Sequence, residues 1–198
     1  MAETKFAKAD TVLKRAMAVR TGALGVGHPL LGEIYHCMAE NQRLRGYFVT
    51  AAKYTAIAMQ LCTTGFPANG PRAAMSKFYQ AQLARDSGNF DEAVPLYETA
   101  LQVVGESLSA TSWQYAQIMG ASGECFGLMG DHDKATATIK TAIEVVQKSY
   151  GKDNLRNVEL LRSYAIICIY TADAGKICQA RSILDESVVR LQEDLLPG

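Results

Sequence analysis

The sequence predicts an all-α solenoid of antiparallel helix pairs, with about nine helices. Three observations carry that prediction. A pattern recurs every 42 residues, each copy holds apolar stripes at helical spacing, and glycine followed by a polar residue punctuates the middle of the copies.

The repeat is seen by aligning Gly46, Gly88 and Gly130, with Gly175 following 45 residues later. Five residues after each glycine comes alanine: Ala51, Ala93, Ala135 and Ala180. Twelve residues after come Ala58, Ala100 and Ala142, with Ser187 in the last copy. The next residue is large and apolar throughout: Met59, Leu101, Ile143 and Val188. Two after the glycine stand Phe48, Phe90, His132 and Ile177. One period upstream, Phe6, Ala9, Ala16 and Met17 hold the same places, with Thr4 in place of the glycine. With alanine at about one residue in seven, the alanine matches alone arise by chance roughly once in ten million.

Taken in chain order, the helices fall at about 6–21, 30–44, 48–63, 72–86, 91–106, 112–128, 132–149, 155–172 and 176–194. The helix at 6–21 is the second helix of a half repeat spanning 4–29. Those at 30–44 and 48–63 pair as repeat 1 (30–71), and those at 72–86 and 91–106 as repeat 2 (72–111). Repeat 3 covers 112–154, and repeat 4 with a C-terminal cap covers 155–198, all in one domain of 1–198. Within repeat 2, Ala93, Leu96, Tyr97, Ala100, Leu101 and Val104 form one stripe at 3.6-residue spacing. Glycine at 88 suits a left-handed helix C-cap, and Asn89 and Asp131 suit the N-caps that follow. Pro and Gly mark the loops between repeats at Gly27-His28-Pro29, 67–71 and 151–154. Seven residues before each glycine stand Ala39, Ala81, Gly123 and Cys168, all small, so that paired helices approach closely.

Composition narrows the function. Twenty basic and twenty acidic residues in 198 leave no net charge, which argues against nucleic acid, whose phosphates demand a basic excess. No apolar run approaches the roughly 20 residues of a membrane span, and the charged start has no secretory signal pattern. Five cysteines without a C-x-x-C pair read as reduced thiols in a cytoplasmic protein. Charge divides along the chain: residues 1–70 hold eight basic and four acidic side chains, a balance of +4, leaving −4 for 71–198.

The small-residue, glycine, alanine, aromatic and alanine order resembles the tetratricopeptide repeat, stretched from about 34 residues to 42. Gly88-Asn-Phe-Asp-Glu-Ala-Val-Pro-Leu-Tyr-Glu-Thr-Ala-Leu101 is its most specific segment. With Pro95 inside the second helix and the loops Gly27-His28-Pro29 and 150–153, it is similar to the kinesin-light-chain type of that repeat. The sequence departs from the pattern at the usual tryptophan position of the first helix, which holds Tyr35, Lys77, Met119 and Tyr164. A fainter likeness is to the helical domain of SET-and-MYND-domain methyltransferases, whose zinc-ligand cysteines and catalytic domain this sequence does not show.

The resemblance implies a right-handed superhelix whose first helices line a concave, peptide-binding face. On that pattern the binding residues are Glu33, His36, Glu40 and Arg43, then Met75, Phe78, Gln82 and Arg85, then Gln117, Glu124 and Arg162. Phe78 is expected as an apolar anchor, with Arg43 and Arg85 for acidic groups. Glu40 and Glu124 oppose a uniformly acidic peptide, so a partner of mixed charge is expected.

Chemistry is not indicated. Adjacent His36 and Cys37 point to different helix faces, and Gly22, Gly25 and Gly27 lack the strand and Lys-Ser/Thr of a phosphate loop. Asp91 and Glu92 fit a helix first turn, and Trp113 reads as a packing anchor. The expectation is a non-catalytic protein-interaction scaffold with no cofactor and no metal. The alternatives are a helical accessory domain of a larger enzyme and a small-ligand sensor. The helix around Phe6, Leu13 and Met17 lacks a preceding partner, which predicts self-association through it or a longer parent chain.

Overall fold

The computed structural model describes residues 2–152 and 154–170 and the isolated positions 175, 181, 182, 185 and 189. Eight helices account for most of them: α1 (Ala2–Leu24), α2 (Leu31–Leu44), α3 (Phe48–Gly65), α4 (Pro71–Asp86), α5 (Phe90–Ser107), α6 (Trp113–Leu128), α7 (His132–Tyr150) and α8 (Arg156–Tyr170). Their ends lie within a few residues of the sequence expectation. Most of the ninth helix expected at 176–194, with the C-terminal cap and Cys178, lies outside the described residues. The chain forms two compact units, Met1–Val103 and Val104–Gly198.

The turn inside each pair has one geometry used three times. Gly46, Gly88 and Gly130 take φ of +78°, +77° and +87°, a region that side chains with a Cβ avoid. After each glycine the chain reaches back: Tyr47 N–H donates to Gln42 O, Asn89 to Ala84 O and Asp131 to Phe126 O, at 2.8–3.0 Å. These bonds satisfy the carbonyls that a helix end leaves open. Asp131 then starts α7 by accepting from Lys134 N–H at 3.1 Å, the N-cap that its short acidic side chain favours.

In the first unit, α2 packs on α3 and on α1 and also meets α4. The alanines of the repeat lie at the contacts: Ala51, Ala58, Ala93 and Ala100 are at most 1% exposed. The Phe78 ring packs on Tyr97 with centroids 6.2 Å apart. In the second unit, α6 packs on α7, and α8 packs on both. A Cβ on Gly123 would lie 2.5 Å from Ile139 Cγ1 and 3.2 Å from Ala135 O, so nothing larger than glycine fits without movement.

The loop before α8 is held by a residue that the repeat pattern does not single out. Asn157, 1% exposed, donates to the carbonyls of Gly151 and Lys152 at 3.1 and 2.9 Å. Beside it, Tyr150 Oη accepts from Trp113 N–H at 3.1 Å, and Arg156 lies over both rings. Trp113 is thus a packing anchor, joining the ends of three helices.

Candidate functional site

The expected binding residues fall into three groups within the first unit. At the start of α2, Glu33 is exposed and meets two arginines: Arg20 of α1 at 3.2 Å, and Arg72 of α4. One turn on, His36 is 5% exposed. Its Nε2 is 2.8 Å from Ser76 Oγ, and its ring stacks on Tyr79 at 4.6 Å. Burial drives the His36 pKa down to about 4 against the smaller opposing pull of Glu33, so the ring is neutral at pH 7.

The third group closes the far end of α2 and α4. Arg43 donates through Nε to Glu40 at 2.8 Å, through a second nitrogen to the same carboxylate at 2.6 Å, and through the third to Asp86. Arg85 Nε donates to Asp86 at 2.8 Å. Burial opposes the Arg43 charge, but Glu40 and Asp86 outweigh it and hold the guanidinium firmly protonated. Arg43 and Arg85 have side chains only 9% and 8% exposed. Both arginines therefore hold the protein's own acids.

The open surface follows a register one residue away from part of the expected one. Phe78, expected as the anchor, is 1% exposed and belongs to the core with Tyr97. His36 and Arg85 are likewise buried. Their neighbours Cys37, Tyr79 and Asp86 hold the outward places instead, joining Glu33, Glu40, Met75 and Gln82. The acidic setting marks this face: partial burial, then Glu33 and Glu40, raise the Cys37 thiol pKa against a smaller pull from Arg20. Tyr79 is pushed up to about 12, mainly by burial, with Cys37, Glu40 and Glu33 adding to it. Gln82 is half-buried, and its Oε1 is enclosed without a hydrogen-bond partner.

The second unit carries fewer of the expected residues. Glu124 of α6 accepts from Ser163 Oγ of α8, and Arg162 lies 3.8 Å from the same carboxylate. Gln117 is half-buried and Arg162 is 57% exposed. Among the described residues there is no group of three or more His, Cys, Asp or Glu placed to hold a metal ion. Among them, too, no helix is long and apolar enough to cross a membrane.

The signal for the shifted register was in the sequence. Residues 33, 37, 40 and 44 on α2 and 72, 75, 79, 82 and 86 on α4 follow helical spacing, but the stripe contains apolar and polar types alike. Asn157 gave no such signal, because its role depends on two carbonyls brought under it by the loop.

Comparison of the sequence with curated proteins finds no match. Residues 72–139 match the tetratricopeptide repeat family. Among solved structures, BtubC (BKLC) from P. vanneervenii is similar over 99% of this chain and 75% of that one, at 19% identity and a TM-score of 0.67. A Podosopora anserina kinesin light chain with nearly identical TPR-like repeats is similar over 100% of this chain and 92% of that one, at 14% identity and a TM-score of 0.61. A single-substitution variant of it is similar over 98% and 90%, at 14% identity and 0.64. These likenesses agree on the fold. Residues 72–139 are tetratricopeptide repeat, and the chain has the all-helical, TPR-like solenoid fold of the kinesin-light-chain repeats.

Proposed function

We propose that the protein is a non-catalytic, cytoplasmic interaction scaffold that binds a peptide or partner protein on the first helices of its repeats. In the first unit, the binding face is the open edge of α2 and α4. Support at the level of the fold comes from the tetratricopeptide repeat, in general a protein-interaction module. Support for the cytoplasm comes from Cys37, Cys62, Cys125 and Cys168, all free thiols, with the last three buried.

The observation that carries the choice of face is the outward row of Glu33, Cys37 and Glu40 on α2 beside half-open Met75, Tyr79 and Gln82 of α4. Glu33 and Glu40 meet basic groups of the ligand, and Met75 and Tyr79 supply the apolar contact expected of Phe78. In the second unit, Gln117, Glu124 and Arg162 are the corresponding contacts on α6 and α8. The preferred partner is mixed in charge, because Glu33 and Glu40 are each paired with arginine and neither sign prevails on this face.

Exposed Cys37 allows a direct test. A photo-crosslinker attached there in a Cys178→Ser background should capture the partner from lysate and yield its bound segment by mass spectrometry. The same crosslinker on Thr141→Cys, on the exposed face of α7 and with Cys37→Ser and Cys178→Ser, should not. Equal capture from both positions would contradict the assignment.

A further inference from the structure

Between α3 and α4 the first unit holds a cavity of about 430 Å³. That volume lies within the range of small-molecule sites, about 300–1,000 Å³. Every α3 residue that lines it is apolar except Thr55, which is buried. The opposite wall, α4 and the turn into α5, brings Gln80, Asn89 and Glu92 to the cavity beside Ala84. Glu92 is the one charged residue of the lining, and no lysine or arginine belongs to it. Two amides aim its carboxylate: Gln80 Nε2 donates to Oε1 at 3.1 Å, and Asn89 Nδ2 to Oε2 at 2.9 Å. Both donors are neutral, so they orient the charge without cancelling it.

The repeat shows why the space is here. One period earlier, the places of Ala52 and Ala84 are held by Asp10 of α1 and Gln42 of α2. Gln42 bridges those two helices, donating to the Asp10 carboxylate at 3.2 Å. One period later, the places of Ala84 and Glu92 are held by Phe126 and Lys134. Phe126 is 7% exposed, and the Lys134 ammonium lies 3.9 Å from the centre of its ring. Between α3 and α4, alanine on both helices leaves the gap that Gln42 and Asp10 bridge in the earlier copy. Ala84 also stands where the later copy has a ring, and Glu92 where it has a cation. An apolar body carrying a positive charge, which the later copy builds from its own side chains, is what this cavity lacks.

We propose that the α3–α4 cavity binds a small cationic amphiphile, an amine with an aromatic or alkyl body. Its ammonium pairs with Glu92, and its body lies against Ala52, Ala56, Met59 and Ala84. Charge complementarity selects the cation, because a lining with one carboxylate and no basic side chain opposes an anionic head. The apolar wall selects a free small molecule over a chain segment. A peptide backbone laid along α3 would bring N–H and C=O groups against a wall whose one polar side chain, Thr55, is buried. A ligand with a single polar head avoids that desolvation. Glu92 is exposed, so its pairing sharpens selectivity while apolar contact supplies most of the affinity. None of these residues belongs to the α2–α4 edge proposed above, so the two sites stand or fail separately.

The test uses the full chain labelled at its methionine methyl groups, so that the Met59 signal in nuclear magnetic resonance reports occupancy of the cavity. The probes are 4-phenylbutylamine, 4-phenylbutan-1-ol and 4-phenylbutanoate, which share one apolar body. The amine should shift the Met59 signal and bind about threefold more tightly than the alcohol and about tenfold more tightly than the carboxylate, with both margins narrowing as salt is raised. Glu92→Gln should erase the advantage of the amine and leave the alcohol unaffected. Ala56→Phe, at an exposed position of the α3 wall, should block all three probes with helicity unchanged. Glu33→Arg on the α2–α4 edge should alter none of this. No Met59 shift with any probe, or an amine preference that survives Glu92→Gln, would overturn the inference. So would tighter binding of the peptide acetyl-Phe-Lys-amide than of the amine, because the occupant would then be a chain segment.

Discussion

The pair α2–α3 and the pair α6–α7 share a repeat and a glycine turn, yet they use the first helix differently. On α2 the outward face carries Glu33, Cys37, Glu40 and, in contact with Glu40, Arg43; ion pairs tie it to α1 and α4. On α6 the corresponding helix holds Gly120, Gly123 and Gly127, each buried, and Glu124 is its only charged residue. A Cβ on Gly127 would come 3.1 Å from Ile167 Cγ1, and one on Gly123 would collide with Ile139. One backbone plan therefore supports two economies. In the first unit, polar groups join neighbouring first helices and leave an open edge, whereas in the second unit close contact of Gly120 and Gly127 with Leu160 and Ile167 joins them alongside the Ser163–Glu124 hydrogen bond. The tetratricopeptide frame sets where the small positions fall, and the side chains between them decide whether a helix face recognises or merely packs.

The largest effect expected from this contrast is at Gly123. Gly123→Val should destabilise the protein by about 3 kcal/mol in urea unfolding, since overpacking exceeds the gain of about 0.5–1 kcal/mol from removing a helical glycine. Unchanged stability would mean that α6 and α7 have room to separate, and the contrast between the two pairs would fail.

The next effect belongs to the first unit and depends on pH. Burial holds the folded His36 pKa at about 4, whereas the unfolded chain titrates near 6.5. The unfolded state therefore binds more protons in that window, so stability is full above about pH 6.5 and falls as pH drops toward 4. The loss ascribed to this residue is about 3 kcal/mol. His36→Gln, which cannot titrate but still reaches Ser76, should flatten this part of the pH profile. An identical acid profile for variant and wild type would remove His36 from the account.

Arg43→Met should cost about 2 kcal/mol, because Glu40 and Asp86 lose the guanidinium that neutralises them in a partly buried site. Guanidinium-free denaturation by urea at two salt concentrations measures it. The smallest effect is on α8: Arg162→Ala should change stability by less than about 0.5 kcal/mol, given a 57% exposed side chain 3.8 Å from Glu124. A cost equal to that of Arg43→Met would show that the charged groups of both units bear equal structural weight.

These two helix faces also show what was legible in the sequence. The turns were legible because they depend on local chemistry: glycine at 46, 88 and 130 supplies positive φ, and Asp131 caps α7 with its own side chain. The tight positions were legible because the same spacing recurs at Ala39, Ala81 and Gly123. The open face was legible only in part. A first helix in this fold touches its partner on one side and the next first helix on another, so its buried arc is wide and its polar residues do not mark solvent. His36 is polar yet buried, because Ser76 and Tyr79 receive it; Arg85 is buried beside Asp86. One residue along a helix turns the side chain by about 100°, and that step separates Phe78 in the core from Tyr79 at the edge.

The central proposal is that the α2–α4 edge binds a partner through exposed side chains whose replacement leaves the fold intact. Its most direct test is a calorimetric titration of the segment captured from Cys37 against wild type, Glu33→Arg, Gln82→Ala and Thr141→Arg, with circular dichroism as the control for folding. Glu33→Arg and Gln82→Ala should each weaken binding by tenfold or more, about 1.4 kcal/mol, with helicity unchanged and Thr141→Arg binding as wild type. Wild-type affinity in both α2–α4 variants, together with loss of binding in Thr141→Arg, would contradict it.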